Sequence, residues 1–198
     1  MTAALGVILN QQSNTQKFFG GGQVDNMAKN VSNTNDAHSD DITALTISSD
    51  RKWAATGQVG SSPVAFVWDA TTGQKKQRFQ LAKGARGVDC IAMSADGTLV
   101  AMADRHDNHN VYLFDVASGQ LKGQDKGDTN RIFDICFSAR RGDNKFATAG
   151  VKHIKFWDNM SQKKGIYGSY EMTSFACVAW NDQDTCFTGG ANGSIYVW

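Results

Sequence analysis

The sequence predicts an all-β fold of stacked four-stranded blades, a β-propeller of about four blades preceded by an N-terminal hairpin. Two observations carry the prediction. Strand-like segments end on an aromatic residue in VAFVWD (64–69), VYLFD (111–115), IKFWD (154–158) and SIYVW (194–198). The closing aromatics Trp68, Phe114, Trp157 and Trp198 stand 46, 43 and 41 residues apart. A repeat of that length, closed by an aromatic and usually an aspartate, is the spacing of propeller blades. The 20 glycines and single proline agree with it, because tight turns between short strands need the positive φ that glycine supplies.

Each unit reads as four short strands joined by turns. Residues 5–10 and 15–19, joined by a polar turn, read as the outer strands of a preceding blade, placing residues 1–19 outside the repeats. Residues 20–37 are rich in Gly and Asn, lack an apolar face, and are expected to form a flexible connection. The first blade, 38–82, holds strands at 42–48, 53–56, 64–68 and 75–79, the first of them alternating as a strand packed on both faces does. The second, 83–127, holds 88–93, 99–103 and 111–114, with its weakest strand after Gly119. The third, 128–168, holds 132–137, 145–149, 154–157 and 164–167; the fourth, 169–198, offers only 175–180, 185–188 and 195–198. Outer strands at one end and three inner strands at the other do not add up to one blade. We therefore expect a piece of a larger propeller, with a self-closing four-blade ring as the alternative.

Composition narrows the function. A formal net charge of +1 gives no electrostatic case for nucleic acid or an anionic membrane. No apolar run has the length of a membrane span, and MTAALGVILN is too short and too soon polar for a leader. Cys90, Cys136, Cys177 and Cys186 form no CxxC pair, and the first three sit in apolar strand patterns, so buried reduced thiols of a cytoplasmic protein are expected.

Catalytic signatures are weak. Asp104, His106, Asp107 and His109 are the sharpest cluster, since two histidines three residues apart can share a metal with a carboxylate. They fall in a polar loop beside Asn108 and Asn110, without the rigid support a metal site needs. GGGQ at 20–23 lacks the Lys-Ser/Thr ending of a phosphate loop, and no GxSxG occurs. His153, in GVKHIKFW, reads as a structural side chain beside its strand. The expectation is a chain that is not an enzyme and has no cofactor.

Several phrases resemble the echinoderm microtubule-associated protein-like family of WD-repeat proteins: HSDDITALTIS (38–48), AATGQVG (54–60), NRIFDICFS (130–138) and GVKHIKFWD (150–158). GVILNQQSNTQKFF near the N-terminus is similar to that family's first propeller strands, so the resemblance covers most of the chain from about Leu5. It implies a WD-repeat propeller that binds tubulin or microtubules, in the cytoplasm on the cytoskeleton, and in ciliated cells on the axoneme of the cilium or flagellum. His38 and Trp68 match the family's structural His and Trp; Phe114 replaces the Trp of the second blade, and Asn192 stands where a turn aspartate is usual.

Propeller topology sends the turns between first and second strands, and between third and fourth, to one face. Four basic pairs fall at or beside such turns: Arg51–Lys52, Lys75–Lys76, Arg140–Arg141 and Lys163–Lys164. All belong to the first and third blades; the second and fourth carry Asp96, Asp182 and Asp184 there instead. Tubulin's acidic tails would be drawn to such pairs by a salt-sensitive attraction, although paired charges on turns are most often solvated surface. The opposite face collects Arg86, Arg105, His106, His109, Lys126 and Arg131. Three readings remain: a tubulin-docking propeller, a WD-repeat scaffold for another protein, and an enzyme built on a propeller.

Overall fold

A computed structural model describes residues 4–19 and 37–198. Of the expected flexible connection, all but Ala37 lies outside the described residues. Strands β1 (Gly6–Asn10) and β2 (Thr15–Phe19) form an antiparallel hairpin. The first four-stranded sheet follows as β3 (Ile42–Ile47), β4 (Trp53–Gln58), β5 (Val64–Asp69) and β6 (Lys75–Gln80). The second comprises β7 (Val88–Met93), β8 (Leu99–Asp104), β9 (Val111–Asp115) and β10 (Leu121–Asp125). The third comprises β11 (Ile132–Phe137), β12 (Lys145–Gly150), β13 (His153–Asp158) and β14 (Ser161–Lys164). A three-stranded sheet of β15 (Phe175–Trp180), β16 (Cys186–Gly190) and β17 (Ile195–Val197) ends the described chain. Each sheet is an antiparallel meander whose strands pair in sequence order. Among the described residues no helix is long and apolar enough to cross a membrane.

The sheets stack face to face. β3 lies beside β7, β7 beside β11 and β11 beside β15, so the first strand of each sheet is the innermost. Apolar side chains leave each central strand on both sides, which explains runs such as VAFVW. Val64, Phe66 and Trp68 pack with Phe19 of the hairpin, while Ala65 and Val67 pack with Ile91, Met102 and Phe114 of the second sheet. Leu99, Ala101 and Leu113 face Phe137, Phe146 and Trp157 of the third, and Ala147, Ala149 and Ile154 face Phe175 and Val178 of the fourth. Strands buried on both faces lose simple alternation and become nearly continuous apolar runs.

Every first strand carries an irregularity at its second residue. The register shifts between Ile42 and Ala44, Val88 and Cys90, Ile132 and Asp134, and Phe175 and Cys177. A bulge of this kind re-aims a side chain and adds local twist. Side chains beside these shifts tie neighbouring sheets: Thr43 Oγ1 donates to the Val88 carbonyl at 2.8 Å, and the Val178 amide donates to Asp134 Oδ2 at 2.8 Å.

Two expectations need correction. The first strand of the first blade is not packed on both faces: Leu45 and Ile47 are 58% and 55% exposed. Their side of the sheet is covered farther out by the β1–β2 hairpin, and nothing among the described residues covers the inner part. Cys177 is exposed rather than buried, because its side of β15 carries no further sheet among the described residues, and Cys136 is half-buried; Cys90 and Cys186 are buried.

Candidate partner-binding faces

A hydrogen-bond relay inside each blade holds the turns in place. In the first, Thr56 Oγ1 accepts from Trp68 Nε1 at 2.8 Å and lies 2.7 Å from His38 Nε2, while His38 Nδ1 lies 2.8 Å from Gln58 Oε1. Burial lowers the His38 pKa to about 4, against a smaller opposing effect from Gln58. Trp157 Nε1 donates to Thr148 Oγ1 at 3.0 Å, and Trp198 Nε1 to Thr188 Oγ1 at 2.9 Å. The second blade departs from this: Met102 and Phe114 occupy the corresponding positions, and the polar relay moves to Tyr112, whose hydroxyl donates to buried Asp104 at 2.7 Å.

The turns at one end are themselves braced. Ser48 Oγ donates to Asp50 at 2.7 Å and Ser94 Oγ to Asp96 at 2.7 Å, each serine also receiving a backbone amide from across its turn. Asp69 and Asp115 accept amides of Thr72 and Ser118 respectively, which hold both carboxyls below their ordinary range.

On this end the basic residues are distributed unevenly. Arg51 adopts a φ of 60° at the tip of its turn, and Lys52 lies 3.9 Å from Asp50. The Asp50 carboxyl is held low first by the Ser48 hydroxyl and the Lys52 amide, and further by the charges of Lys52 and of Arg141 from the third blade. Arg140 leans the other way, its Nε donating to the Asp182 carbonyl at 3.4 Å, with Lys145 on Asp184 at 3.0 Å. Lys75 and Lys76 begin β6, and Lys76 lies over the Trp53 ring at 4.8 Å.

Lys163 and Lys164 are separated. Successive residues of a strand point to opposite sides. Lys163 lines a hollow with Phe156 and Trp180, whereas Lys164, paired in register with Lys155 at the far end of β14, lines a cleft with Asp128 and His153.

The opposite end holds a denser set of charges than the sequence reveals. The Asp89 side chain, next to its register shift, is 2% exposed and receives Arg105 Nε and Nη2 on Oδ1 at 2.8 and 2.7 Å. Its Oδ2 makes no hydrogen bond, with His109 Nδ1 and Arg131 Nε each 3.9 Å away from it. Arg86 pairs with Asp107 at 3.0 Å. Buried Lys155 donates to the Gly127 carbonyl and lies 3.5 Å from Asp128, which is 3.8 Å from His153 Nδ1. The loop cluster singled out as a candidate metal site is dispersed. Asp104 is taken by Asn110 and Tyr112, Asp107 by Arg86, and His109 Nδ1 lies 3.3 Å from the Asp104 carbonyl oxygen. Asp89, Asp128 and His153 belong to different sheets or connections, so no local motif in the sequence signals their role.

These features define a WD-repeat β-propeller with a basic turn end and a charge-rich loop end. A family model described as the first beta-propeller of the echinoderm microtubule-associated protein matches residues 36–198, and the chain belongs to this family. It is 49% identical over its full length to the ciliary WD repeat-containing protein ctxp80 of Euplotoides octocarinatus. It is 28% identical to rat echinoderm microtubule-associated protein-like 2 and 27% identical to human echinoderm microtubule-associated protein-like 1, each over 81% of the chain. The chain spans 28%, 27% and 22% of the length of these three relatives. Among solved structures, the computationally designed Ika4 protein superposes with a TM-score of 0.62 over 82% of this chain and 92% of its own, at 20% identity, a likeness of fold alone.

Proposed function

We propose that this chain is a non-enzymatic docking module for microtubules or tubulin, acting on the cytoskeleton and, in ciliated cells, at the axoneme. One observation carries the reading: Arg51 and Lys52, on the turn after β3, and Arg140 and Arg141, on the turn after β11, lie at the same end of their sheets. Lys75, Lys76 and Lys163 extend that basic surface outward, whereas Lys164 lies at the opposite end, in the cleft with Asp128 and His153. Acidic, mobile tails would be held there by many weak charge contacts, each screened by salt. The names of the relatives support this direction, since they refer to microtubule association and to the cilium.

Co-sedimentation with stabilised microtubules across a salt series tests the proposal. Pelleting at low salt that declines smoothly as salt rises is the expected result. Absence of pelleting by a folded chain at low salt would replace it with the second reading, a WD-repeat scaffold for a partner other than tubulin.

A further inference from the structure

We propose that the cleft between residues 128–130, the turn at Lys152 and the end of β14 binds an oxyanion, the side-chain carboxylate of an acidic peptide. His153 Nε2 is its buried contact and Lys152 and Lys164 its charged rim. The cleft is about 350 Å³ in volume, within the usual range of small-ligand sites.

Two buried polar atoms that make no hydrogen bond belong to residues lining it, His153 Nε2 and Tyr167 Oη. The His153 side chain is only 8% exposed. Its Nδ1 lies 3.0 Å from the Val151 carbonyl, and a carbonyl can only accept, so Nδ1 carries the ring proton. In the neutral ring Nε2 is then a bare lone pair; on protonation it becomes a second N–H donor.

The surrounding charges select the acceptor's sign. Asp128, from the connection before β11, is already engaged by Lys155 of β13 and by the Asn130 amide. Lys152 from the turn and Lys164 from β14 have no side-chain partner among the described residues. His109, from the loop between β8 and β9, adds to the field at His153. The uncompensated charge is positive and calls for an anion. Ile154 and Met172 complete the cleft with apolar surface, which suits the methylenes of a glutamate side chain better than a bare inorganic ion.

Burial lowers the His153 pKa, the Val151 carbonyl and Asp128 opposing it. The ring is therefore neutral before the anion arrives and takes up a proton as it binds. Affinity must then rise as pH falls, the reverse of a purely lysine-based contact, which is insensitive to pH in this range. The site is on the end opposite the basic turns, so it stands or falls separately from microtubule docking.

The test is an NMR titration of the 198-residue chain with a hexaglutamate peptide and, separately, inorganic phosphate, following the His153 imidazole resonances. The peptide is expected to move them toward the protonated form, with affinity rising about tenfold between about pH 7.5 and about pH 5.5. The Lys152→Gln/Lys164→Gln variant, altered only at exposed positions, is expected to bind about tenfold more weakly, whereas Arg140→Gln/Arg141→Gln binds as before. His153 resonances that stay still, or binding indifferent to both pH and the lysine pair, would overturn the site. Phosphate binding as tightly as the peptide would overturn the peptide assignment and make free phosphate the ligand.

Discussion

Thr56 serves two aromatic partners at once, the Trp68 indole and the His38 imidazole, and the third and fourth sheets repeat part of that arrangement with Thr148 and Thr188. Thr148 shows what one such bond contributes. Thr148→Val keeps the shape but leaves the buried Trp157 indole N–H without an acceptor, a loss of about 1–3 kcal/mol that denaturant titration would read. His38 adds a pH dependence. Its pKa is about 4 in the fold and 6.5 in a model peptide, so the unfolded chain binds the proton first. The stability this neutral histidine contributes is complete above about pH 6.5, falls as pH drops, and is fully lost below about pH 4. Thermal melts across that window should show a steeper acid-side fall for the native chain than for His38→Asn.

At the scale of the strand, close approach between neighbouring sheets sets the tolerance to change. Gly57 in β4 has an ordinary backbone conformation, but a Cβ there would lie 2.5 Å from Val88 Cβ of the next sheet. Gly57→Ala therefore forces two blades apart, at about 1–3 kcal/mol, with a lowered melting temperature as the readout. Strands and their order were legible in the sequence because closing aromatics and glycine turns recur at nearly constant spacing. The Asp89–Arg105–Arg131 group was not, because its members lie on a strand, a loop and a connection that meet only once the sheets stack. The split between Lys163 and Lys164 follows from alternation along a strand, but only after the strand's end point is known. Cys177 misled for a related reason: its apolar neighbours define a strand, not which side of that strand another sheet covers.

The molecule carries basic turns at one end and a set of paired charges at the other, and the docking proposal makes a comparison between them possible. Charge reversal at Arg140, Arg141 and Lys163 should weaken microtubule pelleting several-fold with little loss of fold, by the loss of contacts each worth about 0.2–1 kcal/mol. Reversal at Arg86 and Arg105 should do less to pelleting, and Arg105→Glu should cost stability by placing a second carboxylate beside buried Asp89. The opposite ranking in the pelleting assay would reverse the assignment of the docking end.

Among the described residues the main contacts between sheets run from each sheet to the next in sequence, and this gives these residues the mechanics of a stack of cards rather than of a solid. Tension applied along it passes through every sheet-to-sheet contact in turn, and the weakest contact gives first. The two-stranded hairpin and the short β17 are the places where such a stack begins to peel, and amide exchange should proceed inward from both toward β7 and β8. A disturbance entering these 198 residues from either side would reach β7 and β8 last and leave the middle of the stack intact.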